Sequence, residues 1–384
     1  MGGLVQDLER RLGALEEAHL LRRLEEPRGI DFSSNDYLAL AGHPALSAAL
    51  RRSLEAGRPV GAPASRLLRG NSRHHEALEA RLAELKGLEA ALLFPTGYQA
   101  NLGVLTALIG PGDRVLSDRL NHASLIDGLR LTGCRKVIFP HRDVVAVAAE
   151  LDRPYPRGRT FLVTESLFSM DGDIAPLERY GELCRRSGAE LIVDEAHAFG
   201  LFGERGSGLV EELGVESEVT AAVCTFGKAL GCAGAFVAGP SAVIRWLVNR
   251  ARTFVFTTAP PPTLLAAVEA ALDILEREPG RRRRVSEAAA HLRWSLGQRG
   301  LPVVPGEGPI VPVVLGGNRR ALAVARHLRR RGFDVRAIRP PTVPAGSSRL
   351  RISVHADHRR EDLDALVDSL DGALAGHFRE EVVV

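Results

Sequence analysis

The chain has 384 residues, 45% of them hydrophobic and 25% charged, a composition that rules out general disorder and suits one large domain joined to a smaller one. Lys+Arg 50 against Asp+Glu 47 leaves a formal charge of +3, too weak a bias to require nucleic acid or a membrane surface as partner. Cys134, Cys184, Cys224 and Cys232 form no CxxC pair and have no histidine cluster beside them, which argues against a disulfide framework and against a metal site. No apolar run approaches the roughly 20 residues that span a bilayer, and the charged N-terminus lacks the pattern of a signal peptide, so the expected location is cytoplasmic.

Leucines and alanines at helical spacing predict an amphipathic helix over 5–24, followed by a turn at Pro27 to Gly29. From about residue 46, helices such as 76–86, with Leu78, Leu82 and Leu85 on one face, alternate with short apolar runs at 90–94, 114–117 and 136–139. The same alternation continues through 160–164, 190–194, 221–225 and 234–238. Buried strands separated by helices predict a mostly parallel sheet with helices on both faces, so ligands are expected at the carboxyl ends of the strands. A long helix is predicted from 263 past 278. Beyond 301, fewer strands (310–315, 333–337 and 350–354) alternate with helices, as in a small α+β domain. The expected division is an N-terminal arm over 1–45, a large α/β domain over 46–290 and a small C-terminal domain over 291–384.

Two strand ends carry chemistry. The run Leu191-Ile192-Val193 delivers Asp194, Glu195 and His197 to the sheet edge, and Ala221-Ala222-Val223-Cys224 delivers Thr225, Gly227 and Lys228. A lysine amine and a carboxylate at neighbouring strand ends match the needs of pyridoxal 5'-phosphate (PLP). Its aldehyde condenses with the amine, and its ring nitrogen stays protonated beside the carboxylate. Thr96-Gly97-Tyr98, after one strand and opening a helix, offers free backbone amides to a phosphate. Taken singly, Asp194 reads as a strand-end cap, Lys228 as a solvated loop residue, Gly97 and Tyr98 as an ordinary turn, and His122 as a helix-capping or core histidine. Their joint occurrence at strand ends in one α/β chain favours the cofactor reading.

With these residues stand further ordered motifs: Ser34-Asn35-Asp36-Tyr37-Leu38, Asn101, Asn121-His122-Ala123-Ser124, Glu165 through Ser169-Met170-Asp171-Gly172-Asp173, and Asp194-Glu195-Ala196-His197. Together they cover nearly the whole chain, which resembles the α-oxoamine synthases, fold type I PLP enzymes with the aspartate aminotransferase-like fold. The resemblance implies a homodimer with shared active sites, and a decarboxylative condensation of a small amino acid with an acyl thioester. It implies that Lys228 anchors the cofactor and moves the substrate α-proton, that Asp194 pairs with the ring nitrogen, and that His122 stacks on the ring. Ser169 and His197 would contact the ring hydroxyl, and Gly97, Tyr98 and Thr225 the phosphate. Thr257 and Thr258 would reach the phosphate in the neighbouring subunit.

The stretch 337–344 followed by Arg349-Leu350-Arg351 looks most like the branch of that family that joins L-alanine to a pimeloyl thioester, carried on acyl carrier protein or coenzyme A. In that resemblance Arg351 and Asn35 hold the amino-acid carboxylate, a role that suits a guanidinium fork. Thr342 and Arg22 or Arg23 contact the acyl substrate, and His122 touches substrate as well as cofactor. One departure is Ala198-Phe199, where many relatives carry glycine and a small polar residue. Another family member acting on glycine or serine, or a non-catalytic subunit with this fold, would share many of these residues. The spelling Asp194-Glu195-Ala196-His197 also occurs in nucleic-acid helicases, but the phosphate-cradling G-x-x-x-x-G-K-[ST] is missing: Ala222 and Ala229 stand at its first and last positions.

Overall fold

In the computed structural model, which describes residues 3–380, the apolar runs become strands. They are β1 (Ile30–Asp31), β2 (Ala90–Phe94), β3 (Arg114–Asp118), β4 (Arg135–Phe139), β5 (Thr160–Glu165), β6 (Glu190–Asp194), β7 (Val219–Thr225) and β8 (Ala235–Gly239). Near the C-terminus follow β9 (Ile310–Gly316), β10 (Phe333–Asp334), β11 (Arg336–Ile338) and β12 (Ser348–Ser353). The ends of the expected first and last segments lie outside the described residues. The chain divides into two compact units. One holds the N-terminal part through Asn35, Met170–Gly172 and the chain from Arg284, and the other holds Asp36–Ser169 and Asp173–Arg283.

The larger unit is built on a seven-stranded sheet in the order β2-β8-β7-β6-β5-β3-β4. Only β8 pairs antiparallel with its neighbours, so the carboxyl ends of the other six strands share one edge. Successive side chains of a strand face opposite ways, and the two cores show it. Val163, Ile192 and Val223 pack on one face with Val104 and Leu105 from the helix Gly97–Leu108. Leu162, Val193 and Ala222 pack on the other with Leu177 and Tyr180. Asp194 and Glu165, two residues beyond Ile192 and Val163 and paired in register, therefore emerge on the face of the helix Gly97–Leu108.

Two charged clusters hold the sheet edge. Lys86, wholly buried at the end of the helix Arg73–Lys86, pairs with the wholly buried Glu195 and donates to the Ser207 carbonyl at 2.6 Å. Burial works against the ammonium, but Glu195 outweighs it and holds the Lys86 pKa above its ordinary range. Removing one member strands the other charge in the core. Lys86→Met is therefore expected to destabilise the protein by about 3–5 kcal/mol, read as a lowered urea midpoint, with partial recovery in Lys86→Met/Glu195→Leu.

His141 bridges Asp118 (Nδ1, 2.9 Å) and Asp173 (Nε2, 2.8 Å). Burial opposes its charge, yet the two carboxylates win and raise its pKa from 6.5 to about 9. A raised folded-state pKa stabilises fully below the unfolded value, so this contribution is complete below about pH 6.5 and fades as pH rises through 9. His141→Gln should lower unfolding free energy by on the order of 1–2 kcal/mol at pH 6, allowing for solvent screening, and by almost nothing at pH 10.

In the smaller unit, β9, β11 and β12 form an antiparallel sheet in the order β11-β12-β9, and β1 pairs in parallel with β10. Helices Asn318–Arg330 and Arg360–Glu380 and the stretch 284–298 supply Leu292, Val324, Leu328, Leu366 and Leu370 to a core with Val311, Leu350 and Ile352. Two expected elements differ. The helix expected over 5–24 ends at Glu17, because His19 takes φ 56° and the Leu20 N–H returns to the Leu15 carbonyl at 2.7 Å, closing the last turn. The strand expected over 333–337 is two strands in different sheets, divided at Val335.

Candidate active site

Asp194 ends β6 and Lys228 follows β7, two adjacent parallel strands with Asp194 opposite Val223. The Asp194 carboxylate is buried. Its Oδ1 accepts the Ala196 N–H at 2.9 Å and its Oδ2 accepts Asn101 Nδ2 at 2.7 Å. His122, the N-cap of the helix Ala123–Thr132, accepts the Ser124 N–H on Nδ1 at 3.2 Å. Burial lowers its pKa, opposed by the charge of Asp194 and helped by that of Lys228, so the ring is neutral at physiological pH. Glu165 lies in the same field. Burial and the Asp194 charge raise its pKa from 4.5 to about 8, against the pull of Lys228. The charges of Asp194 and Lys228 thus act on both His122, at a helix N-cap, and Glu165, at a strand end.

His197 Nδ1 shares a 2.7 Å hydrogen bond with the Tyr37 hydroxyl, and both rings are buried. Ser169 is buried in the loop after β5. Thr96 caps the helix Gly97–Leu108, accepting the Gln99 N–H at 3.2 Å, so the amides of Gly97 and Tyr98 fall in the first turn, where no intrahelical acceptor exists. A Cβ at Gly97 would sit 2.4 Å from Thr225 Cγ2. Glycine there is what lets the helix terminus close on the strand end. The Tyr98 side chain points elsewhere, its hydroxyl donating to Asp127. Thr257 Oγ1 accepts Gln99 Nε2 at 3.4 Å, and Thr258 is exposed.

Within the smaller unit, buried Arg351 donates to Asn35 Oδ1 and to Ser353 Oγ, each at 2.9 Å. Exposed Arg22 donates to Thr342 Oγ1 at 3.2 Å. Arg22 and Arg23 also line a cavity of about 480 Å³, with Arg326, Arg329, Arg336 and Arg339. Ala198 and Phe199 are core residues, Phe199 packing edge-on against Phe236. Glu165, Ser124 and Tyr37 were not singled out from the sequence as site residues; a carboxylate, a hydroxyl or a phenol inside a matched motif was the only signal for them.

The chain belongs to the aminotransferase class I and II family, whose model matches residues 27–370. Among curated proteins it is similar to the 8-amino-7-oxononanoate synthase of Chromohalobacter salexigens, 49% identical over 343 residues, 89% of this chain and 88% of that one. Among solved structures it is similar to serine palmitoyltransferase of Sphingomonas wittichii, with a TM-score of 0.89, 31% identity and 96% of each chain covered. It also resembles a structure of SPT with PLP, with a TM-score of 0.90, 28% identity, and 98% and 99% of the two chains covered.

PLP is the cofactor, and the residues present fit it. A carboxylate and an amine stand at adjacent strand ends, a neutral imidazole stands beside them, and the helix terminus at Gly97 is closed tightly enough on Thr225 that a methyl group would not fit. No helix among the described residues is long and apolar enough to cross a membrane.

Proposed function

We infer that this chain condenses L-alanine with a pimeloyl thioester, with loss of carbon dioxide and of the thiol, to give 8-amino-7-oxononanoate. The observation that carries the chemistry is the presentation of Asp194 and Lys228 by neighbouring strands around one buried site. The 49% identity to a synthase of that name carries the choice of substrates.

Bound PLP supplies an electron sink for the pair of electrons left at the amino-acid α-carbon. Lys228 Nζ would hold the cofactor aldehyde and, once substrate is bound, would take and return the α-proton. Asp194, fixed by Asn101 and the Ala196 N–H, would pair with the ring nitrogen and so stabilise the charge that develops at the α-carbon. His122 would cover the ring face and touch substrate, His197 and Ser169 would face the ring hydroxyl, and the first-turn amides at Gly97 and Tyr98 with Thr225 would hold the phosphate. Tyr37 sets the orientation of His197 through their shared hydrogen bond. Arg351, braced by Asn35 and Ser353, binds the alanine carboxylate, and Arg22 with Thr342 binds the acyl chain.

The protein acts as a cytoplasmic homodimer in this reading, with Thr257 and Thr258 completing the partner's phosphate site. Six arginines against Glu16, Glu25 and Asp334 leave the 480 Å³ cavity net positive, which suits an anionic acyl donor. An acidic acyl carrier protein is the proposed form, and coenzyme A is the other outcome of the test.

The test is a panel of alanine, glycine and serine against short, dicarboxylic and long acyl thioesters on each carrier. Alanine with pimeloyl thioester should lead by at least about tenfold, the discrimination that 1.4 kcal/mol in the transition state provides. Serine with a long acyl chain in the lead would assign the chain to the palmitoyltransferase type instead.

A further inference from the structure

Asn101 lies in the helix Gly97–Leu108 and is 2% exposed. Its Nδ2 donates to Asp194 Oδ2 at 2.7 Å and to Ser124 Oγ at 2.9 Å. Ser124 Oγ lies 2.8 Å from His122 Nδ1, which also accepts the Ser124 backbone N–H at 3.2 Å. We propose that Asn101 is a positioning residue whose single carboxamide fixes both the Asp194 carboxylate and, through Ser124, the tautomer of His122.

The direction of every proton in this chain follows from the groups themselves. A carboxamide turned the other way would set its oxygen against the Asp194 oxygen, two acceptors at 2.7 Å. Nitrogen therefore faces Asp194, and its two protons go to Asp194 and to Ser124. Ser124 Oγ, accepting from Asn101, has its own proton left to donate to His122 Nδ1. Nδ1 accepts twice and carries no proton, so the proton of the neutral ring sits on Nε2. The charged groups around His122 leave that ring neutral: burial lowers its pKa, Asp194 raises it and Lys228 lowers it. Glu165 has its own pKa raised to about 8 by burial and by Asp194.

The arrangement carries a cost that packing alone does not explain. Asn101 Oδ1 is buried with no hydrogen-bond partner, a loss of about 1–3 kcal/mol that a leucine of similar volume would avoid. The two donors justify the residue, because they order the ring-nitrogen partner and the stacking imidazole with one side chain. An Asp194 carboxylate free to rotate, or a His122 free to exchange tautomers, would have to be ordered when cofactor binds.

This inference rests on the proposed roles of Asp194 and His122, so its test includes a readout that needs no cofactor. In apoprotein with nitrogen-15 histidine, His122 should show a single Nε2-H tautomer. In Asn101→Leu, where the Ser124 backbone N–H alone still opposes a proton on Nδ1, a second tautomer should become detectable, and PLP titrated into this apoprotein should bind at least about tenfold more weakly, the range found when groups that orient a ligand-holding side chain are removed. Val104→Ala, a core cavity on the same helix, should leave tautomer and affinity as in the unsubstituted protein, which separates positioning from general loosening. Should Asn101→Leu fail to fold, Ser124→Ala breaks the same chain at its midpoint and should alter the His122 signal in the same direction. A folded Asn101→Leu protein with one unchanged His122 tautomer and unchanged PLP affinity overturns the proposal, as does a Ser124→Ala protein with neither signal moved. An unsubstituted apoprotein that takes up no PLP would sink the cofactor reading and leave the tautomer result to stand by itself.

Discussion

Lys228→Ala should lower turnover by at least about a thousandfold, because the substitution removes both the covalent anchor and the base, and a positioned base alone is worth 10²–10⁴. Lys228 is half-buried in the loop after β7, and its loss opens no cavity in either core cluster of the sheet. The variant should therefore fold with a Tm close to that of the parent. Two measurements check the assignment together. The parent protein with PLP should show a near-visible absorbance band that borohydride bleaches, and the variant should show none. Its rate should not recover when alanine is raised tenfold, because the missing group is needed after substrate binds. A variant that condenses alanine with pimeloyl thioester at the parental rate removes Lys228 from the mechanism.

Asp194 and Lys228 were legible in the sequence for a geometric reason. A short apolar run bounded by polar residues reads as a parallel strand, and parallel strands deliver whatever follows them to a common edge. The register of β6 against β7 needs nothing beyond that rule. Gly97 was legible because a glycine opening a helix after a strand is a local signal.

What the sequence could not supply is contact between segments far apart in the chain. Asn101 meets Asp194 across 93 residues, and Lys86 meets Glu195 across 109. Which face of which helix arrives there is decided by the packing of Val104 and Leu105 on Ile192 and Val223, not by any local pattern. The overlong N-terminal helix has the opposite cause. Leu20, Leu21 and Leu24 continue a helical spacing, but spacing stabilises a helix only where its face is covered. No residue of the helix Gly3–Glu17 is buried, and Leu24 is fully exposed. A left-handed turn at His19 therefore ends it at little cost.

Asp194→Asn is expected to be nearly as damaging as loss of the lysine, for a different reason. The substitution keeps the shape of the side chain and the bond from the Ala196 N–H to its oxygen, so the fold and the register of β6 should survive. What changes is charge. An amide opposite the ring nitrogen gives no reason for that nitrogen to hold a proton, and the electron pair at the α-carbon is then stabilised far less. A second conflict arises at Asn101: with the amide oxygen held by the Ala196 N–H, its Nδ2 now faces another amide nitrogen. Removing one preorganised electrostatic partner of a developing charge costs about 10²–10³ in kcat, and the loss should fall on kcat, with KM for the acyl thioester changed by less than about threefold. A ring methylated at its nitrogen is permanently cationic and needs no carboxylate to keep its charge. Apoprotein of Asp194→Asn loaded with that PLP analogue should therefore regain at least about tenfold of the lost rate, a barrier reduction of about 1.4 kcal/mol. Equal rates for the variant with PLP and with the analogue would show that Asp194 acts by shape and not by charge.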